Sequence, residues 1–280
     1  MEGSLFGLGS AKVRLMRTFL PLVFLLTLGC KAPEPAPTEL DELAHFFLAQ
    51  VHQQEHERIL EGAANVLDWY GASGLAGGGP TGGSLTDLTQ AEVDAFEGMG
   101  WSPDPEPCAG VYAISELSCD LSSAADIALE PNQTEVFEGN YAAYDRTWDT
   151  DPGCYTEGSC DAVDWTSIIE DNFVFNYDMS YEMVVKLRRS RDEAEQPSVV
   201  LIRSVMPDKA MEDVDAGDFE QSYHIEAYIK RDQGLLHLYG LWNYGWIMGS
   251  DPDSDFWADQ YYKGLLDFED SLEDLCVNGW

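Results

Sequence analysis

Apolar and polar residues alternate along this chain with several different periods. Lys12, Arg14 and Arg17 precede an apolar run from Phe19 to Leu28. As a helix that run would span only ~15 Å, about half of a bilayer's hydrocarbon core, so the pattern predicts an export signal and not a membrane-spanning anchor. Prolines then alternate through Lys31 to Thr38, which predicts an extended tether over residues 30–38. From Glu39 to Tyr70 there is no proline, and Leu40, Leu43, Phe47 and Val51 fall on one helical side. A wholly polar stretch from His52 to Arg58 interrupts that side before Ile59, Ala63, Val66 and Leu67 resume on a rotated face. The prediction for residues 39–70 is a helical leader, either two short helices or one exposed at its middle.

Gly71 to Ser84 holds seven glycines and one proline, the composition of a flexible linker. A domain over residues 85–280 follows, opening with the capping box Thr89-Gln90-Ala91-Glu92. Trp101 to Asp161 is rich in turn residues and predicts loops, with a strand over Thr134 to Trp148. From Trp165 the period becomes two, predicting successive antiparallel strands. The clearest pair lies between Ser222 and Trp246, with its turn at Gln233-Gly234. A two-residue turn there places Tyr223, Ile225, Trp242, Tyr244 and Trp246 on one face; a three-residue turn would flip the match. The other face carries His224, Glu226, Tyr228 and Lys230 beside His237, Tyr239, Leu241 and Asn243, a set rich in polar groups and rings.

Trp257, Tyr261, Leu265, Phe268, Leu272 and Leu275 then recur at intervals of four and three, an amphipathic helix that must bury one side. The fold class predicted is α+β: an antiparallel sheet meander packed against a long C-terminal helix, behind an N-terminal helical leader. In that arrangement Tyr223, Ile225, Trp242, Tyr244 and Trp246 would face Trp257, Tyr261, Leu265 and Phe268, filling a core or lining an apolar pocket. A meander closed by a C-terminal helix resembles the helix-grip domains, which include the START-type lipid-binding proteins. The resemblance is one of architecture, over about residues 130–276, and brings no motif with it.

The ending Leu28-Gly29-Cys30 resembles the lipobox of bacterial lipoproteins, although Thr27 stands where that family most often has Leu. The resemblance implies cleavage before Cys30 and acylation of its thiol, so the membrane is an expected partner through a lipid anchor. Lys31 after the cysteine implies the outer membrane of a bacterial envelope more than the inner one. The alternative is an ordinary secretory signal with Cys30 incidental.

Charge narrows the partners. With 51 acidic and 15 basic side chains the chain carries −36, which excludes nucleic acid, since a phosphate backbone would be repelled. In an oxidising compartment Cys154 and Cys160, seven residues end to end around Gly158, are the expected disulfide, with Cys108 and Cys119 next; the spacing leaves other arrangements open. Asp251, Asp253, Asp255 and Asp259 have the spacing of part of an EF-hand loop and are the candidate metal ligands, for Ca2+. Phe256 replaces the turn glycine, and an acidic helix start is the alternative. His45, His52 and His56 share a helical side, and Lys186, Arg188, Arg189 and Arg191 form a local basic group that suits either strand edges or anionic head groups. No nucleophile elbow or phosphate-binding glycine loop is present, so no cofactor or catalysis is expected. The reading is a non-catalytic envelope protein with an apolar ligand. A protein-interaction module without a ligand is the alternative, and a metal-dependent hydrolase comes third.

Overall fold

The computed structural model describes residues 34–51, 56–96, 99–105, 108–173, 177–212, 217–247 and 255–279. Cys30, Asp251, Asp253 and His52 lie outside them, as do the side chains of Trp246 and Asp255. Residues 35–280 form one compact unit.

Its centre is a single antiparallel sheet. The strands are β1 (Thr81–Ser84), β2 (Ala109–Leu117), β3 (Ala143–Trp148), β4 (Ala162–Phe173), β5 (Tyr177–Arg191), β6 (Pro197–Val205), β7 (Met211–Glu212), β8 (Gly217–Lys230) and β9 (Leu235–Ile247). They run in the order β1-β2-β9-β8-β6-β5-β4-β3, with β7 beside β5. Helices α1 (Leu40–Gln50), α2 (His56–Ser73) and α3 (Gln90–Asp94) precede β2; α4 (Leu121–Leu129) and α5 (Gln133–Val136) follow it. The short α6 (Pro152–Thr156) and the 24-residue α7 (Asp255–Asn278) complete the chain. The α+β class, the antiparallel sheet and the long C-terminal helix are as the periodicity predicts.

The β8–β9 hairpin shows how sequence fixes face but not register. Lys230 pairs with Leu235, so the connection has four residues, Arg231 to Gly234, and Tyr223 lies opposite Trp242 instead of Tyr244. A shift of two keeps every side chain on its predicted face, because the side-chain period is two. Gly234 is required at the turn: its φ is +67°, and a Cβ there would stand 2.1 Å from the Leu117 carbonyl oxygen.

Both sheet faces are covered, and the leader is one of the covers. Phe47, Leu43, Ile59 and Val66 of α1 and α2 pack with Tyr223, Ile225, Trp242, Leu201 and Val199 in one core. Thus the predicted leader and linker are not separate from the domain: α1 and α2 bury one sheet face, and Thr81–Ser84 is a strand paired with β2. The physical reason is area. The face bearing Tyr223 and Trp242 is largely apolar apart from Arg203, and the leader's leucines and phenylalanines are the surface that removes it from water. The tether is shorter than predicted too, since Glu61 accepts from the Ala36 amide at 3.0 Å and Asn65 donates to the Pro37 carbonyl at 2.7 Å.

On the opposite face α4, α5 and α7 pack over β4, β5, β6, β8 and β9. Cys119, just ahead of α4, bonds Cys276 near the end of α7, and Cys154 bonds Cys160. The predicted Cys108–Cys119 bridge is therefore incorrect. Cys108 lies in the core beneath α3, its thiol directed at Gln221 Oε1 at 3.6 Å, while the chain reversal after β2 brings Cys119 to α7. Sequence missed β2 and α4 because their apolar residues, such as Val111, Ile114 and Ile127, lie between proline-rich and cysteine-rich stretches that read as loop.

Candidate functional site

A cavity of about 120 Å³ lies between the sheet and the helices α4, α5 and α7. Trp165, Met183, Val185 and Ile202 of β4 to β6 form its apolar floor, and Ile127, Phe137, Phe268 and Leu272 come from the helices. Tyr141, Tyr144, Tyr181, Tyr228 and Tyr239 supply rings with polar tips, and Gln133, Arg146, Ser204, His224 and Glu226 supply the other polar groups. For scale, a dry engineered cavity of ~150 Å³ accepts benzene, and drug-sized ligands need roughly 300 Å³ or more. The space suits one ring or a short branched chain. A larger occupant requires a helix to shift.

The β8 and β9 side chains of this face form two hydrogen-bonded groups. In the first, His237, with no exposed surface, lies 2.9 Å from Glu269 of α7, which has none either, and 3.5 Å from Glu226 Oε2. The Tyr228 hydroxyl donates to Glu226 at 2.6 Å, and its ring stacks on His237 with centroids 4.1 Å apart. Ser115 Oγ donates to Glu269 from β2. Burial by itself lowers the proton affinity of His237, but the carboxylates of Glu269 and Glu226 outweigh it and raise the pKa to about 9. Glu226, 14% exposed, and Tyr228 are the members of this group that meet the cavity.

In the second group the Tyr239 hydroxyl lies 2.9 Å from His224 Nδ1 and Ser222 Oγ 2.6 Å from His224 Nε2, with Ser222 also donating to Asn243. Burial lowers the His224 pKa to about 4, against the pull of Glu226, so the ring is neutral. Ser222 and His224 have the spacing of a nucleophile and its base. Ser222 is 1% exposed, however, and does not line the cavity, so a substrate carbonyl has no approach to it.

Of the residues predicted to hold a ligand, Phe268 lines the cavity. Tyr223, Ile225 and Trp242 are sealed in the core under α1 and α2, with Tyr244 packed against it. Trp257, Tyr261 and Leu265 pack on Val111, Ala113, Tyr239 and Leu241. The two predicted halves thus lie on opposite faces of the sheet, because the leader, not α7, covers the more apolar one. The signal for the true lining was the polar, ring-rich alternation of His224, Glu226, Tyr228 and Tyr239. Tyr144, Arg146 and Tyr181 carried no comparable signal.

The remaining candidates lie apart. Asp259 pairs with Lys263 at 2.6 Å on the surface of α7, and among the described residues no group of acidic, His or Cys side chains has the geometry of a metal site. His45 pairs with Glu92 at 2.8 Å and His56 approaches Ser190 at 3.3 Å, so those two do not converge. Arg188 pairs with Asp164, and Arg189 and Arg191 share Asp161, so these three arginines are engaged within the chain. No described helix is long and apolar enough to cross a membrane.

No family model matches the chain, and no curated protein does. Among solved structures it is similar to a STAR-related lipid transfer protein from Xanthomonas axonopodis, with 9% identity over 71% of this chain and 94% of that one and a TM-score of 0.43. Human STARD10 gives 6% identity over 69% and 82%, with a TM-score of 0.40. The human StarD13 lipid transfer and protein localization domain gives 11% over 59% and 78%, at 0.37. Likeness of this degree carries no inference about what the present chain binds.

Proposed function

We propose that this protein is a non-catalytic, lipid-anchored envelope protein that binds an apolar ligand between its sheet and helices α4, α5 and α7. The observation that carries the reading is the cavity itself, a ring-lined space under the C-terminal helix on the face of the sheet opposite α1 and α2. Its lining joins an apolar floor to rings and polar groups at defined points, as small-molecule sites do. The signal and Cys30 supply the address, and two acyl chains on that cysteine would give stable anchoring.

Purifying the protein without detergent, extracting it with organic solvent and analysing the extract by mass spectrometry tests the reading. A stoichiometric apolar compound is expected, and it should be absent from Ser204→Phe, which fills the cavity from β6. An extract empty of ligand, together with wild-type and Ser204→Phe proteins that bind apolar probes equally, would refute the proposal.

A further inference from the structure

We propose that Arg146 reads a carboxylate, so that the cavity's occupant is an amphipathic acid: an apolar body carrying one carboxylate group. This rests on the ligand-binding reading above and adds the class of ligand.

Arg146 sits on β3, the last strand of the sheet path, and is directed across the end of the cavity. Its guanidinium lies 4.9 Å from the ring centre of Trp165, 5.0 Å from that of Tyr144 and 5.5 Å from that of Trp148. Nη1 donates to the Ala128 carbonyl at 2.7 Å and Nη2 to the Tyr144 hydroxyl at 3.3 Å, while the buried Nε has no hydrogen-bond partner. A guanidinium offers five N–H donors, so most of its capacity is unspent. Its charge is also unmet. Among the described residues no carboxylate pairs with Arg146, whereas Arg188, Arg189, Arg191 and Arg231 each have one. In a chain of 51 acidic residues that absence is not for want of acids. The rings flank the guanidinium and restrict its orientation, which favours a two-pronged bond to a planar carboxylate.

The rest of the cavity sets the orientation. Glu226 is on β8, with three strands between it and β3, so the β8 end already carries a carboxyl group beside His237. An acid entering here is held at the β3 end, with its apolar part over Trp165, Met183 and Ile202.

Calorimetry on the purified, delipidated full-length protein tests this with 4-ethylbenzoate and octanoate, each beside its neutral amide. Charged hydrogen bonds of this kind predict that each acid binds at least about tenfold more tightly than its amide. Arg146→Gln should bring acid and amide within about twofold. Equal binding of acid and amide by the wild type overturns this proposal while leaving ligand binding intact. Failure of all four compounds to bind overturns the ligand-binding reading itself. If Arg146→Gln does not fold, Arg146→Lys is read in its place: it keeps the charge without the planar fork, and an undiminished preference in it overturns the two-pronged assignment.

Discussion

His237 and Glu269 join β9 to α7 through an ion pair of 2.9 Å with no solvent exposure on either side chain. Because Glu269 and Glu226 raise the folded His237 pKa from the ordinary 6.5 to about 9, protonation and folding are linked. For a raised pKa the stabilisation is fully present below the unfolded value and is lost as pH rises through the folded one. Melting temperature should therefore fall between pH 6.5 and about 9. Glu269→Gln should flatten that slope, and melts recorded by circular dichroism across the range would show an unchanged slope if the pair is not the cause.

The same substitution has a cost at neutral pH. Removing one partner of a buried pair leaves the other uncompensated, with a typical loss of about 3 kcal/mol. For a domain of this size that corresponds to a fall of roughly 6–12 °C in melting temperature. A change within a degree or two would mean that the groups are not paired in solution.

Much of this architecture was legible in the sequence, and its limits have physical causes. Alternation in β8 and β9 fixed which residues share a face, and the i, i+4, i+3 stripe of Trp257, Tyr261, Leu265 and Phe268 fixed the buried side of α7. Nothing local said which helix covers which face. The leader's Phe47 and Leu43 and the Trp257 stripe each offer an apolar cover, and the choice between them depends on chain connections that only the fold reveals. The cavity was placed on the wrong face for that reason. Arg146 was illegible because its meaning lies in a missing neighbour, and a carboxylate's absence is a property of three-dimensional surroundings.

The two disulfides should differ in weight. Cys119 and Cys276 are 157 residues apart and Cys154 and Cys160 are six apart. In the chain-entropy model these close loops worth about 5 and about 2 kcal/mol. Cys119→Ser should thus lower the urea midpoint about twice as far as Cys154→Ser, and equal shifts would argue that the long bridge does not form.

Gly234→Ala tests the hairpin turn. The positive φ alone costs a side chain about 1–2 kcal/mol, and the added Cβ would collide with the Leu117 carbonyl, which is backbone and cannot move aside. A loss of at least about 2 kcal/mol is expected, against a change within ~0.5 kcal/mol for Gln233→Ala beside it. Similar stabilities for both variants would be incompatible with this turn.

Cys30→Ser tests the anchor with the fold held constant. The first residue packed against the domain is Ala36, whose amide is bonded to Glu61 and whose side chain is 5% exposed. Residue 30 precedes it by six positions, and residues 35–280 form a compact unit of their own. Loss of the acylation site should shift the protein from the membrane pellet to the soluble fraction. Since substitutions outside the core usually change stability by less than ~0.5 kcal/mol, its melting temperature should match that of delipidated wild type. The tether is also short: the residues between Cys30 and Ala36 reach only about 15–20 Å when extended. Inserting a flexible decapeptide there should therefore leave fractionation unchanged while making the α2 surface more accessible to protease. A Cys30→Ser protein still wholly in the membrane pellet would rule out acylation as the anchor and direct attention to an uncleaved signal.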